Sequence, residues 1–273
     1  MNELAGAAFL AGMPPAVARQ RDILSGMLTV AELEPVLRWL ELGCSLARGA
    51  GDELSDIDCG VGVADDSFDD ALALSDRLAA VGGDIRDQMR QVFPGRADRT
   101  CWHVHTLYSD GAQLSVVLMP ASWRNGRPPG SIALYDADRR LAEPFRPAVA
   151  DTSTDTAREW AYLAWIALGD LVKYLHRGSV WEAYQRLHDA RGHVWQLWNV
   201  AHQVPFATYG LTALLDEPVV TMPPDVDATV ATLDADDIRR AARVLARTLD
   251  EVVTAAVPDP PNGFRDWVLE LLV

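Results

Sequence analysis

The sequence predicts an α+β protein, with a mixed sheet and its helices in the first half and helices alone in the second. In the first half, short apolar runs alternate with turn signals, which is typical of strands. From about residue 157 onward, apolar residues recur at helical spacing instead. The stretch "EPFRPAVADTSTDT", at 143–156, separates these patterns and predicts a linker. We therefore expect two domains, at 1–147 and 148–273.

The elements of the first half follow from these patterns in order. Residues 15–28 have the spacing of a short helix, and "AELEPVLRWL" predicts a short helix or turn that leads into a strand. Residues 41–63 then give strand, loop and strand. Ser67 is the predicted N-cap of a helix that ends at the Gly-Gly pair of residues 82–83. "DIRDQMRQVF", at 84–93, predicts a further helix.

A hairpin follows in "CWHVHTLYSDGAQLSVVLMP", at 101–120. Its Asp-Gly dipeptide at 110–111 is favoured in two-residue turns. In that register Thr106 faces Ser115, because the numbers of paired residues have a constant sum. His103 and His105 share a face that this register places opposite Ser115, on the core side, so we expect them to pack rather than bind metal.

The remaining elements are a short strand and a set of helices. "IALYD", at 132–136, predicts a strand after a Pro- and Gly-rich loop. Helical periodicity covers about 157–177, 179–203, 235–257 and 263–272.

Composition limits the possible partners. The 273 residues are 49% hydrophobic and carry a formal charge of −15. This charge disfavours nucleic acid, whose phosphates need clustered cations, and suits a cationic small molecule. We see no signal peptide and no apolar stretch long enough to cross a bilayer, and three cysteines do not suggest a disulfide framework. We expect a cytoplasmic monomer or homodimer.

The segment "ELGCSLARGAGDELSDIDCGVGV", at 41–63, contains two acidic residues where a buried strand begins. Asp56 and Asp58 are two apart on the predicted strand, so they share one face, and Ile57 and Cys59 point into the core. Two carboxylates this close repel each other unless cations lie between them. Carboxylate oxygens suit Mg²⁺, which completes its shell with water and substrate phosphates. The pair therefore predicts a magnesium–nucleotide site.

The loop before the aspartates fits a triphosphate. Gly43 lets the backbone approach a ligand closely, and Ser45 offers a hydroxyl and an amide. Arg48 supplies a positive charge near the same loop.

The sequence "GCSLARGAGDELSDID" resembles the signature of the DNA polymerase β-like nucleotidyltransferases, and most closely the small bacterial enzymes that adenylylate antibiotics such as aminoglycosides. "SIALYDADRRL" is similar to the segment that closes the domain in those enzymes. The resemblance implies a nucleotidyltransferase domain followed by a helical acceptor-binding domain. It implies transfer of AMP from ATP to a hydroxyl, with Mg²⁺ held by Asp56 and Asp58. It also implies nucleotide contacts from Gly43, Ser45, Arg48, Ser55 and, in the segment "LVKYLHRG", Lys173.

One position departs from the family pattern. Many members carry a third carboxylate on a later strand, where it helps to deprotonate the acceptor, and Ser115 aligns with that position here. One alternative is a base supplied from the helical domain, for which Glu159, Asp170 and Glu182 are candidates. A second is a degenerate nucleotide-binding regulatory protein. A third is a toxin-type transferase that modifies tRNA or protein, of which the net charge disfavours tRNA.

Overall fold

The structure is a computed structural model and describes residues 3–94, 100–145, 153–217 and 219–272. The chain divides into two compact units, Met1–Ala148 and Val149–Val273. The predicted domain boundary between residues 147 and 148 lies outside the described residues. The first unit contains a mixed sheet with helices and the second contains helices, so the prediction of an α+β chain is confirmed.

Six strands form one sheet in the described part of the first unit, in the order β3-β4-β5-β2-β1-β6. The strands are β1 Leu37–Leu42, β2 Ile57–Val63, β3 Ile85–Pro94, β4 Thr100–Tyr108, β5 Gln113–Pro120 and β6 Ile132–Asp136. The helices of this unit are α1 Glu3–Ala11, α2 Ala18–Leu33, α3 Cys44–Ala47 and α4 Ala71–Ala80. β2 and β5 run parallel, and the other neighbouring strands are antiparallel.

One face of this sheet, which we call the core face, packs against α2 and α4. In β2 and β5 every second side chain belongs to the core face, and these side chains are almost wholly buried along both strands. Its members include Ile57, Val61, Leu114, Val116 and Leu118 from the strands and Ile23, Met27, Leu74 and Leu78 from the helices. Burying one such side chain contributes about 1.5–3 kcal/mol, so this face holds the unit together.

The prediction of a helix over 84–93 is wrong, because β3 occupies this segment. The strand pairs with β4 along its length, and Arg90 lies opposite Val104. Gln88 donates a hydrogen bond to Thr106 at 3.1 Å, and Arg90 donates one to Asp76 of α4 at 2.6 Å. These residues therefore form a strand although few of them are β-branched, because pairing with β4 and side-chain contacts with other elements outweigh their low β-propensity. Charged residues are common on an edge strand because they discourage pairing with another chain.

The predicted register of the β4–β5 hairpin is also wrong, by one residue. His105 lies opposite Ser115, and Thr106 lies opposite Leu114. The loop contains three residues rather than two, because the Tyr108 amide donates to the carbonyl of Ala112 at 2.9 Å. Gly111 has a φ of +91°, as in a type I turn followed by a left-handed glycine. A shift of one residue moves every side chain to the opposite face.

Helix boundaries differ from the predictions at two places in this unit. The helix predicted over 15–28 is α2, which begins at Ala18 and extends to Leu33, and β1 follows it at Leu37. Ser67 is not the N-cap of α4, because a 3₁₀ turn, Asp65–Asp70, comes before the helix, and the Ser67 hydroxyl donates to Asp66 instead. The strand predicted from "IALYD" is confirmed as β6.

The second unit is a helical bundle with its own core. Its helices are α5 Thr154–His176, α6 Val180–Ala201, α7 Leu211–Leu215, α8 Ala235–Ala256 and α9 Asn262–Leu271, and four of them lie where the sequence predicts. Ser153 caps α5 by accepting a hydrogen bond from Thr156, and Asp234 caps α8. In the described residues, no helix combines the length and the apolar character that crossing a membrane requires.

Candidate active site

The sheet of the first unit has a second face that carries most of its polar side chains. We call it the polar face and define it by Glu41 of β1, Asp58 and Gly60 of β2, His103 and His105 of β4, and Ser115 of β5. These residues share one side because Glu41 lies opposite Gly60, Asp58 opposite Ser115, and Ser115 opposite His105. These pairs, together with the two-residue spacing of Asp58 and Gly60 on β2, place the polar groups of four strands on one face.

The two aspartates lie where the sequence analysis expects them, at the beginning of β2. Asp56 is exposed and comes one residue before the strand, and Asp58 is half-buried within it. Partial desolvation of its carboxyl group raises the pKa of Asp56 although the residue is exposed as a whole; the negative charge of Asp58 raises this pKa further, whereas His105 acts in the opposite direction. The two carboxylates therefore lie close enough for their charges to interact, in a position that a cation would stabilise.

A glycine turn is joined directly to the aspartate strand. The Gly43 amide donates a hydrogen bond to the carbonyl of Asp58 at 2.8 Å. Cys44, the next residue, has a φ of +55°, which is unusual for a residue with a side chain. Burial raises the pKa of the Cys44 thiol to about 12, and a hydrogen bond to the carboxylate of Asp58 contributes to this shift. The turn and the carboxylate pair thus form one local structure.

The other residues predicted to bind nucleotide have different surroundings. Ser45 is half-buried in α3, and its carbonyl accepts a hydrogen bond from Ala50 at 3.0 Å. Arg48 is exposed at the end of α3, with its side chain beside Gly130. The Ser55 hydroxyl interacts with Asp52 inside the loop that precedes the aspartates, accepting from the Asp52 amide at 2.9 Å.

Lys173 belongs to the second unit. It lies on α5 and forms an ion pair with Asp170, one turn earlier on the same helix. Its ammonium group also lies 4.9 Å from the centre of the Tyr174 ring. Its predicted contact with the triphosphate remains a prediction.

Two histidines that the sequence analysis assigned to the core lie on the polar face instead. Nε2 of His103 lies 2.7 Å from the hydroxyl oxygen of Ser115, and the rings of His103 and His105 are 3.8 Å apart between centroids. Burial lowers the pKa of His103, as does the neighbouring His105, whereas Asp58 raises it. The triplet Ser-Asp-Gly at 109–111 is the signal that could have identified this register, because glycine at the third loop position indicates a three-residue turn.

An ion pair that the sequence analysis missed lies at the other end of the polar face. Glu41 is 4% exposed and Arg124 is 18% exposed, and Nη2 of Arg124 lies 2.8 Å from Oε2 of Glu41. Burial raises the pKa of Glu41 and lowers that of Arg124. The guanidinium also lies 5.8 Å from the ring of Trp39, whose indole occupies the space beside Gly62. These bulky groups close the polar face at this end of β2.

The second unit contains a cavity of about 530 Å³. Its walls come mainly from α5, α6 and the residues that precede α7. They combine apolar and aromatic groups, including Trp195 and Tyr209, with the carboxylates of Asp170 and Asp189. Both carboxylates form ion pairs, with Lys173 and with Arg186 respectively. The cavity is therefore amphipathic, as sites for small molecules usually are.

No protein-family model and no curated protein matches the sequence. Among solved structures, an aminoglycoside 6-adenyltransferase from Bacillus subtilis aligns with 93% of this chain and 98% of its own, at 13% identity and a TM-score of 0.41. A nucleotidyltransferase-like protein from Exiguobacterium sibiricum aligns with 85% of this chain and 77% of its own, at 14% identity and a TM-score of 0.39.

Asp56 and Asp58 fit a magnesium ion bound together with a ligand. Among the described residues, no group of three or more histidine, cysteine, aspartate or glutamate side chains is arranged to hold a metal ion. Asp56 and Asp58 offer two carboxylates. This suits Mg²⁺, which is commonly held by one or two carboxylates and takes its other ligands from water and substrate phosphates.

Proposed function

We propose that this protein is a nucleotidyltransferase that transfers AMP from ATP to a hydroxyl group of a small, cationic molecule. The observation that carries the proposal is the pair of interacting carboxylates, Asp56 and Asp58, joined to a glycine turn by the 2.8 Å hydrogen bond from Gly43 to Asp58. The repulsion between a polyphosphate and two carboxylates is relieved when divalent cations lie between them. The pairing of acidic groups with a close backbone turn therefore favours a metal–triphosphate ligand.

Each residue of this site has a proposed role. Asp56 and Asp58 would hold Mg²⁺, which when bound neutralises the triphosphate and the charge that develops on the leaving pyrophosphate. Gly43 leaves room for the phosphates, and Ser45 and Arg48 contact them from the same turn.

Two further residues complete the proposed nucleotide site. Ser55 belongs to it through the loop that its hydroxyl helps to close, immediately before Asp56. The role predicted for Lys173, a positive charge for the triphosphate, stays a prediction.

The acceptor is proposed to be an aminoglycoside-like antibiotic or a similar polyamine with hydroxyl groups. A formal charge of −15 gives the protein a field that attracts cations. The cavity of the second unit offers aromatic walls at Trp195 and Tyr209 and carboxylates at Asp170 and Asp189. These groups suit a sugar ring that carries amines, because apolar ring faces stack on aromatics and ammonium groups can join the ion pairs that the two carboxylates already form with Lys173 and Arg186.

The experiment combines the full-length protein with Mg²⁺, ATP labelled at the α-phosphate and a panel of aminoglycosides. We expect label to move to an acceptor and pyrophosphate to appear in equal amount. Asp56→Asn and Asp58→Asn should each lower the rate by at least about 10²-fold, the size expected when one electrostatic group of an active site is removed. Asp69→Asn changes an exposed carboxylate of the same unit and should leave the rate unchanged.

Two results would contradict the proposal. One is the absence of any labelled acceptor and of pyrophosphate while ATP binds normally. The other is transfer that survives in both the Asp56→Asn and the Asp58→Asn variants, because the site would then lie elsewhere.

A second candidate function is nucleotide binding without transfer, as in a regulatory protein. The observation that favours it is Ser115, which lies directly opposite Asp58 on the neighbouring parallel strand, at the position where many nucleotidyltransferases carry a third carboxylate. This candidate predicts ATP affinity that requires Asp56 and Asp58, without pyrophosphate release. Calorimetry together with a pyrophosphate assay separates it from the first.

A further inference from the structure

The polar face contains a hydrogen-bonded serine and histidine next to the proposed metal site. Ser115 lies opposite Asp58 in the parallel register of β2 and β5. Nε2 of His103 is 2.7 Å from Oγ of Ser115, a distance typical of a hydrogen bond in which a hydroxyl takes part. Serine alone is a poor proton acceptor near neutral pH, but a serine bonded to an unprotonated imidazole nitrogen can pass its proton on.

We propose, on the basis of the proposed function, that Ser115 and His103 together accept the proton of the acceptor hydroxyl. In this step the acceptor oxygen attacks the α-phosphorus of ATP, and its proton passes to Oγ of Ser115. The proton that Ser115 carried passes to Nε2 of His103, which requires the tautomer with its ring hydrogen on Nδ1. The bond between the α-phosphorus and the bridging oxygen breaks, and pyrophosphate leaves with the electron pair. The two residues replace the carboxylate that is missing at position 115.

The surroundings of His103 agree with this role better than with packing or metal binding. Its side chain is half-buried on the polar face, whereas its neighbour Val104 is buried in the core. Within the described residues, His103 and His105 belong to no group of three potential metal ligands. The ring of His105 lies 3.8 Å from that of His103 between centroids and packs against it.

The position of Ser115 and His103 relative to Asp58 also agrees with the proposed proton transfer. In a parallel pair of strands, residues directly opposite each other lie about one strand spacing apart, roughly 4.8 Å. Ser115 is therefore one strand from the carboxylate proposed to hold the metal, on the same face of the sheet. A hydroxyl that attacks a phosphate bound at Asp58 would pass within reach of Ser115.

The test compares four variants of the full-length protein in the AMP-transfer assay, His103→Gln, Ser115→Ala, Ser115→Asp and the double variant Ser115→Asp with His103→Gln. His103→Gln and Ser115→Ala should each lower kcat by about 10²–10⁴-fold, the usual contribution of a general base, with little change in the KM for ATP. His202→Gln, which changes an exposed histidine of the second unit, serves as the matched control.

The double variant gives the most specific result. Ser115→Asp supplies a carboxylate at the position of the missing one, so its activity should no longer depend on His103. We expect Ser115→Asp with His103→Gln to be as active as Ser115→Asp alone. If His103→Gln lowers kcat by the same factor in both backgrounds, His103 has a structural role and the proposal is overturned. Circular dichroism and the Tm of each variant identify changes that come from misfolding.

Failure of this inference differs from failure of the proposed function. The inference alone is overturned if the wild type transfers AMP, Asp56→Asn does not, and both His103→Gln and Ser115→Ala keep the wild-type kcat. Wild-type protein that transfers AMP to no acceptor overturns both. Should His103→Gln prove unstable, Ser115→Ala removes one oxygen atom and tests the same proton path.

Discussion

Replacing Glu41 by glutamine should destabilise the first unit far more than removing a surface ion pair does. Glu41 and Arg124 are 4% and 18% exposed, and Nη2 of Arg124 lies within 3.0 Å of both carboxylate oxygens of Glu41. Nε of Arg124 is buried and has no hydrogen-bond partner among the described residues. The variant would therefore leave a buried positive charge with one neutral partner. Loss of one member of a buried pair typically costs about 3–5 kcal/mol.

The loss of free energy of unfolding expected for Glu41→Gln is about 3 kcal/mol, near the lower end of that range. The reason is that the glutamine oxygen can still accept one hydrogen bond from Arg124. The matched control is Glu34→Gln. Glu34 pairs with Arg77 at 2.9 Å in the same unit, but the two side chains are 29% and 46% exposed. Exposed pairs contribute about 0–1 kcal/mol, so this variant should change stability by no more than that.

The assay is urea unfolding at pH 7 followed by circular dichroism, with both variants compared on the transition of the first unit. Burial shifts the pKa values of Glu41 and Arg124 against their charged forms, and replacing a whole buried pair by apolar side chains of similar size is often neutral or stabilising. Glu41→Met combined with Arg124→Leu should therefore cost less than Glu41→Gln alone. The reasoning is refuted if Glu41→Gln and Glu34→Gln reduce the free energy of unfolding equally, or if the double replacement is the most damaging of the three.

Two further predictions concern packing and pH. Gly62→Ala places a methyl group on the buried indole of Trp39 and should lower the free energy of unfolding by about 1–3 kcal/mol, whereas Gly192→Ala, in an uncrowded part of α6, should raise it by about 0.5–1 kcal/mol. Thermal unfolding measures both, and equal shifts of the same sign would contradict the packing argument. Hydrogen bonds from the amide and hydroxyl of Thr232 lower the pKa of Asp237 to about 2, below the value of about 3.9 in an unfolded chain. Asp237 therefore stabilises the protein above about pH 4, and this stabilisation is lost as the pH falls toward 2. Asp237→Asn should lower the Tm at pH 7, and the difference in Tm from wild type should shrink progressively between pH 5 and pH 2. A Tm difference that stays constant with pH would exclude this explanation.

Much of the fold could be predicted from the sequence because local patterns and tertiary contacts agree there. β2 alternates between the two faces, and its apolar members are buried as expected. The helices α5, α6, α8 and α9 follow the apolar periodicity of the second half, and α5 and α8 begin at side-chain caps. In these segments the hydrophobic period alone determines which side faces the core.

The failures have specific physical causes. β3 is an edge strand whose polar side chains contact β4 and α4, and those contacts are not visible in its own sequence. The hairpin error arose because Asp110-Gly111 occupies the second and third positions of a three-residue loop. The dipeptide indicates a turn but does not determine its length.

The candidate site was only partly predictable for the same reasons. Gly43, Asp56 and Asp58 lie within 16 consecutive residues, and the strand period is enough to place the aspartates on one face. His103 and Ser115 come from different strands, and one residue of loop length decides whether they meet. The Glu41–Arg124 pair joins residues 83 positions apart, and no local pattern indicates such a contact.

The alternation of side chains along β2 and β5 has a consequence for how this protein can evolve. Residues that hold the sheet to its helices and residues that could act on a ligand occupy alternate positions of the same strands. Mutation at positions 58 or 115 can therefore alter chemistry while the apolar neighbours keep the scaffold intact. A new activity could arise here by exchanging single residues, without any need to rebuild the interior.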